Sequence, residues 1–382
     1  MVLFKYLLAI LLLFSLIWAL SRLIKTSIFK QIVVVCYVFL SFLLILEISF
    51  NIIFKIENGV WIFLLNKHPN SALFEKHPYM SVSNQKEIKE DLYGIKISHN
   101  KKGQRSREYD TNTFNSSIKI VTIGGSTTYG VGVNNWETWT DILDNLTGKD
   151  TILINLAVPG HTTVEHLITA SLYLEEINPD IIIVHCGLND MRVAHVDDLL
   201  SDYSNFHEPH LIGSMGLCYL EEVPKVATLF YIVQFMQKMG IYPICDFHTA
   251  SISGRSRGEV DDKALLFFEK NISKLLYICK YHTDNILVIP QILLEDKIKG
   301  NGLKWWIPYI SSDQLVNVLN EYNKTSKHAA DFANCFYLNE MEDFEWKVDD
   351  FTDASHLNKE GNEKLAKMIY RKLTAFNDDK NN

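Results

Sequence analysis

Between residues 118 and 376 the chain alternates short apolar runs with longer amphipathic stretches, and that alternation restricts it to one fold class. The runs are 118–123, 151–156, 181–185, 241–247, 285–290 and 335–338. The stretches are 136–146, 164–177, 223–239, 261–281, 312–333 and 359–376. Ile181-Ile182-Ile183-Val184 is continuously β-branched, which suits a strand buried on both faces of a parallel sheet. Strands alternating with helices predict an α/β fold with helices on both sides of the sheet. In such sheets chemistry collects at the carboxyl ends of the strands.

The N-terminus reads differently. Residues 6–20 are apolar except Ser15, and residues 31–54 are apolar apart from Gln31, Ser41, Glu47, Ser49 and Asn51. With Met1–Phe4 added to the first, each stretch is about long enough to span a bilayer. Between them lie Arg22, Lys25 and Lys30 with no acid. A short basic loop stays on the cytoplasmic side, so the expectation is a transmembrane hairpin over 1–54, with everything beyond it in the periplasm or an equivalent exterior space. A second reading stays open. Ala19-Leu20-Ser21 resembles a signal-peptide cleavage site, and cleavage there would leave the large domain in the cytoplasm. Glu47, near the outer end of its run, is expected to snorkel to the interface.

Charge narrows the partners. The first 54 residues carry four bases and one acid, which leaves 33 bases and 44 acids beyond them, a net charge of −11. A polyphosphate would be repelled, so nucleic acid is not expected as a partner. The six cysteines lack CxxC spacing and suggest neither a disulfide framework nor a zinc site.

Four blocks at strand ends or helix starts carry the functional reading. Gly124-Gly125-Ser126-Thr127-Thr128 follows the first run, and its glycines permit a tight strand-to-helix turn presenting Ser126. It is not a G-x-S-x-G elbow, because position 128 is Thr. Asn155-Leu156-Ala157-Val158-Pro159-Gly160 follows the second run, and the Gly160 N–H could face a developing oxyanion. Gly187-Leu188-Asn189-Asp190 follows the third and offers the Asn189 amide as a donor. Asp353-Ala354-Ser355-His356 precedes the last helix, with spacing that lets Asp353 hold one imidazole nitrogen while the other faces a serine. Each block alone also describes an ordinary turn.

In this order the blocks resemble the SGNH hydrolases, or GDSL-type esterases, over about residues 116–376. The resemblance implies a flavodoxin-like three-layer α/β/α sandwich around a parallel sheet. It also implies a Ser126–His356–Asp353 triad and an oxyanion hole of the Ser126 amide, the Gly160 amide and the Asn189 side chain. One departure is Gly125 where the family name has Asp, with Thr127 in place of Leu. Gly-Gly-Ser-Thr looks like a variant of membrane-anchored members, and Asn100-x-x-Gly103-x-Arg105 resembles their lead-in strand. The expected organisation is a transmembrane hairpin at 1–54, a juxtamembrane linker and lead-in strand at 55–115, and a catalytic domain at 116–382.

Other features carry less. His161-x-x-x-Glu165-His166 matches no zinc-protease spacing and is expected to start a helix. Gly130-Val131-Gly132 lacks the third glycine of a nucleotide fingerprint. Tyr203, Phe206, His207, His210, His248, Trp305 and Trp306 are candidates for lining a pocket, against a bland reading as loop or packing residues. The expected activity is hydrolysis or transfer of small O-acyl groups, acetyl above all, on a cell-surface glycan, with no cofactor and no metal. The alternatives are a lipase or lysophospholipase drawing on the bilayer, and a catalytically silent glycan-binding scaffold.

Overall fold

A computed structural model of the chain describes residues 27–58, 61–62, 73–75, 77–92, 94–193, 199–204, 206, 226–239, 260–297 and 312–379. The expected first membrane run and the expected strand at 241–247 lie outside these residues. In chain order the main elements are α1 (Ser27–Asn58), β1 (Phe74–Glu75), β2 (Ser83–Asn84), β3 (Ile88–Leu92), β4 (Ile95–His99), β5 (Ile118–Gly124) and α2 (Ser126–Tyr129). They continue with α3 (Trp139–Thr147), β6 (Thr151–Asn155), α4 (Thr163–Ile177), β7 (Ile181–His185) and α5 (Leu188–Val193). The remainder is α6 (Ala227–Lys238), α7 (Asp262–His282), β8 (Ile286–Val288), α8 (Ser312–Phe332), β9 (Phe336–Tyr337) and α9 (Lys359–Asp379).

The chain divides into two compact units. One is Met1–Ser71 with Tyr219–Pro243; the other is Ala72–Cys218 with Ile244–Asn382. The larger unit is built on a five-stranded sheet in the order β6-β5-β7-β8-β9, with every pairing parallel. Successive strand residues point to opposite sides, and both sides are apolar. Val121, Ile123, Ile182, Val184, Ile286 and Val288 pack with Leu174 of α4, Phe268 and Leu275 of α7 and Leu319 of α8. Ile120, Leu153, Ile183 and Leu287 face the other way, onto Leu143 of α3 and Leu365 and Ile369 of α9. The unbroken β-branched runs therefore reflect burial on both faces, and the result is the expected three-layer sandwich.

Local chemistry sets the helix limits. The sequence suggested a helix from 136, but Asn135–Glu137 forms a 3-10 turn and α3 begins after Thr138, whose side chain accepts the Asp141 N–H. Asp261 caps α7 in the same way, accepting the Ala264 N–H at 2.7 Å. Among the described cysteines, Cys36, Cys186, Cys279 and Cys335 are all free thiols.

The larger unit begins at Ala72, so much of the stretch expected as linker is part of it. Strands β3 and β4 form an antiparallel pair. The signal was present in the alternating Ile88, Glu90 and Leu92 against Ile95, Ile97 and His99, diluted by charged residues on the outer face.

In the smaller unit α1 contains a 27-residue apolar segment, Lys30–Ile56, with an 18-residue stretch of mean hydropathy 2.6 in which no residue is buried; Phe54, near its end, is buried. Glu47 differs from expectation. Its carboxylate accepts the N–H groups of Ala227 and Thr228, both at 2.8 Å, at the start of α6. A helix N-terminus leaves such donors without partners, which makes it a better site for a carboxylate in an apolar helix than a partnerless one.

Candidate active site

All five strands of the sheet run the same way, so their carboxyl ends share one edge. The first strand of the sheet, β5, has β6 on one side and β7 on the other, which makes its end a topological switch point. Ser126 stands there, as the first residue of α2. In that position no intrahelical acceptor exists for its N–H.

The two preceding glycines are required by space. A Cβ on Gly124 would lie 2.2 Å from Thr128 Oγ1 and 2.7 Å from the His185 carbonyl oxygen. A Cβ on Gly125 would lie 2.7 Å from Asn189 Nδ2. The Asn189 amide thus rests directly over the residue before Ser126, which explains why this chain carries glycine at 125. Asn189 is buried in α5 and donates one N–H to the His161 carbonyl at 2.9 Å. Its amide has a second hydrogen to offer. Ser126 and Asn189 line one narrow cavity with Gly125, Thr127, His161 and Gln291.

Gly160 lies in the loop after β6, one residue before His161, with φ of +83°. A side chain would be strained in that conformation. Asn155 braces this loop against the Ser126 turn. Its Oδ1 accepts the Ala157 N–H at 3.0 Å, and its Nδ2 donates to the Thr128 carbonyl at 3.1 Å.

Asp353 and His356 meet as the spacing suggests. His356 Nδ1 is 2.6 Å from Asp353 Oδ2, while Asp353 Oδ1 accepts the backbone N–H groups of Ser355 and His356, both at 2.8 Å. Partial burial alone would raise the Asp353 carboxyl; the hydrogen bond and charge of His356, with these two amides, outweigh it and hold Asp353 well below the usual carboxylate range. His356 Nε2 is buried and has no hydrogen-bond partner among the described residues. The loop bearing this pair touches the turn after Ser126: a Cβ on Gly132 would lie 3.1 Å from Thr352 Oγ1.

The surroundings are mostly structural. Asp190 accepts the Thr163 N–H at 3.1 Å and the Thr163 hydroxyl, and burial, opposed by those bonds, pushes its carboxyl up to about 7. His166 and His185 are pushed down to about 3, in both cases chiefly by burial, so both are neutral near pH 7. His161 bonds the Val82 carbonyl at 3.0 Å, and Glu165 closes the capping box with Thr162 at the start of α4. Among the described residues no three His, Cys, Asp or Glu side chains are grouped to hold a metal. Tyr203 and Phe206 do not line the cavity; they are buried with Val193, Leu199 and Ala264, whose apolar contact outweighs loop exposure. His207, His210, His248, Trp305 and Trp306 lie outside the described residues.

Sequence reasoning placed Arg105 only in a likeness to a lead-in strand; it lies instead in the turn region after β4. Its buried guanidinium donates to the carbonyls of Tyr129 at 3.0 Å, Gly130 at 2.7 Å and Val133 at 2.7 Å, and to Asn135 Oδ1 at 3.0 Å. It grips the loop that leaves the Ser126 turn. From the same region, Asn84 Nδ2 donates to the Ala157 carbonyl at 3.1 Å.

Residues 122–228 match the GDSL-like Lipase/Acylhydrolase family. Among solved structures, a lipase/acylhydrolase from Enterococcus faecalis is 15% identical, with 68% of this chain and 96% of that chain covered and a TM-score of 0.40. A member of the lipolytic G-D-S-L family from Veillonella parvula is 14% identical, with 67% and 97% covered and a TM-score of 0.39. A catalytic mutant of an acetylxylan esterase from Geobacillus stearothermophilus is 15% identical, with 67% and 94% covered and a TM-score of 0.38. No curated protein matches the chain.

Proposed function

We propose that the chain, which matches the GDSL-like lipase/acylhydrolase family over residues 122–228, belongs to that family, the SGNH hydrolases, and is a membrane-anchored serine esterase removing or transferring small O-acyl groups, acetyl above all, on a cell-surface glycan. Ser126 is the nucleophile, His356 the general base and Asp353 its orienting partner. The Ser126 and Gly160 amides and the Asn189 side chain form the oxyanion hole.

One observation carries this reading: His356 is held by Asp353 through Nδ1 while its Nε2 is buried without a partner among the described residues. An imidazole fixed in that way accepts a proton at Nε2. Ser126 Oγ attacks the ester carbonyl as His356 takes the hydroxyl proton, and Asp353 stabilises the imidazolium. The tetrahedral oxyanion is met by the three donors. Collapse expels the alcohol, which recovers the proton from His356, and leaves an acyl group on Ser126. Water completes hydrolysis; a second hydroxyl in its place completes transfer.

The cavity at Ser126 is narrow, with Ser126, Thr127, His161, His166, His185, Asn189 and Gln291 among its lining. A polar lining supports a short acyl group over a long lipid chain. The exposed apolar length of α1 supports anchoring, and Arg22, Lys25 and Lys30 support an outward-facing body.

Labelling by a fluorophosphonate probe tests the nucleophile. Wild type is expected to label and Ser126→Ala to lose the label; equal labelling of both would remove Ser126 from the mechanism. Turnover of p-nitrophenyl acetate above that of longer esters is the expected chain-length preference.

A further inference from the structure

We infer that α6, carried by the segment that interrupts the hydrolase unit between α5 and α7, is a non-spanning membrane helix with its outward face against lipid acyl chains. The inference rests on the reading of α1 as a membrane anchor.

Three observations carry it. First, α6 is joined to α1 by a matched set of contacts. Glu47 is the only acid among the first 54 residues. Its carboxylate takes the first two N–H groups of α6, and Asn51 Nδ2 adds a third donor at 2.8 Å. One turn further along α1, Phe50 stacks on Tyr231 with ring centroids 4.8 Å apart. Beyond it Phe54 meets Phe230 edge-on at 5.3 Å. A charge persists in an apolar helix where it is paired in this way.

Second, α6 exposes large apolar side chains away from α1. Leu229, Ile232, Phe235 and the adjoining Met239 are exposed at helical spacing, and no charged residue occurs from Val226 to Gln237. On α1, Val35, Val38, Phe42 and Ile45 are likewise exposed. Water disfavours a continuous apolar surface of this kind, and acyl chains accept it.

Third, length and connectivity exclude a crossing. Twelve residues of helix reach about 18 Å, against a hydrocarbon core of about 30 Å. The chain also leaves the hydrolase unit at Cys218 and rejoins it at Ile244, so the segment starts and finishes on one side. Glu47, Phe50 and Phe54 lie in the C-terminal part of the Lys30–Ile56 segment, the part that leads toward that unit. A shallow, re-entrant position beside α1 satisfies all three conditions.

The test uses the full chain in vesicles of phosphatidylethanolamine and phosphatidylglycerol, with p-benzoylphenylalanine placed at one position at a time. Position 235 probes α6, position 38 probes α1, and position 277, exposed on α7, probes the hydrolase unit. Irradiation followed by mass spectrometry is expected to give lipid adducts at 38 and 235 and loss of them at 277. Lipid adducts at 38 with none at either 235 or 232 would overturn the inference and leave the anchor intact. Chain-to-chain adducts at 235 would overturn it in favour of a second copy. No lipid adduct at 38 would remove the anchor reading, and the inference with it.

Discussion

A missing Cβ at Gly125 lets the Asn189 amide lie against the nucleophile turn, and the two residues are best tested together. Removing one oxyanion donor costs about 10²–10³ in turnover. Asn189→Ala is therefore expected to lower kcat on p-nitrophenyl acetate by that amount with little change in KM. Gly125→Ala, whose Cβ would lie 2.7 Å from Asn189 Nδ2, is expected to lower kcat comparably by displacing the same amide. Wild-type kcat in Asn189→Ala would take Asn189 out of the oxyanion hole. Asp190 supplies a pH signature. Its folded pKa is raised to about 7, with burial as the main cause, so the native state holds a proton that the unfolded chain has released. Stability consequently falls as pH rises from about 4 to about 7 and levels off above. Asp190→Asn should flatten that slope in denaturant midpoints measured across the window. Asp353 has the opposite sign: its lowered pKa gives a contribution present above about pH 4 and lost only in stronger acid.

At the scale of elements, the segment ahead of the sheet is a brace, with Arg105 at its centre. Lysine keeps the charge but not the planar fork. Arg105→Lys therefore loses at least one charge-assisted hydrogen bond, a destabilisation of about 2 kcal/mol. A fall in kcat at a temperature where the variant remains folded is also expected, because the gripped carbonyls of Tyr129, Gly130 and Val133 adjoin the nucleophile helix. A shifted denaturation midpoint with unchanged kcat would reduce Arg105 to a purely structural role. This brace was hard to foresee, since its acceptors are main-chain carbonyls that leave no side-chain pattern. The sheet strands and the three strand-end blocks were legible because β-branched runs and turn glycines are local signals. Asp353 and His356 were legible for the same reason, being three residues apart. The Glu47 contact joins residues 180 apart, and no local spacing announces it.

For the whole molecule, the fold class followed from alternation alone, whereas the division into units did not, because composition cannot show that α6 packs with α1. Orientation is the matching prediction. In spheroplasts of an expressing host, externally added protease should digest the hydrolase unit without lysis. Digestion only after lysis would place that unit in the cytoplasm, as cleavage after the first apolar run would require.

The chain passes between its two units three times, at 71/72, 218/219 and 243/244. A single nick near residue 72 therefore would not shed the enzyme. Cut there, the larger unit would still be covalently joined to residues 219–243, whose helix α6 stays clipped to α1 by Glu47 and two aromatic pairs. Liberation into the surrounding medium would demand a second incision on each side of that loop.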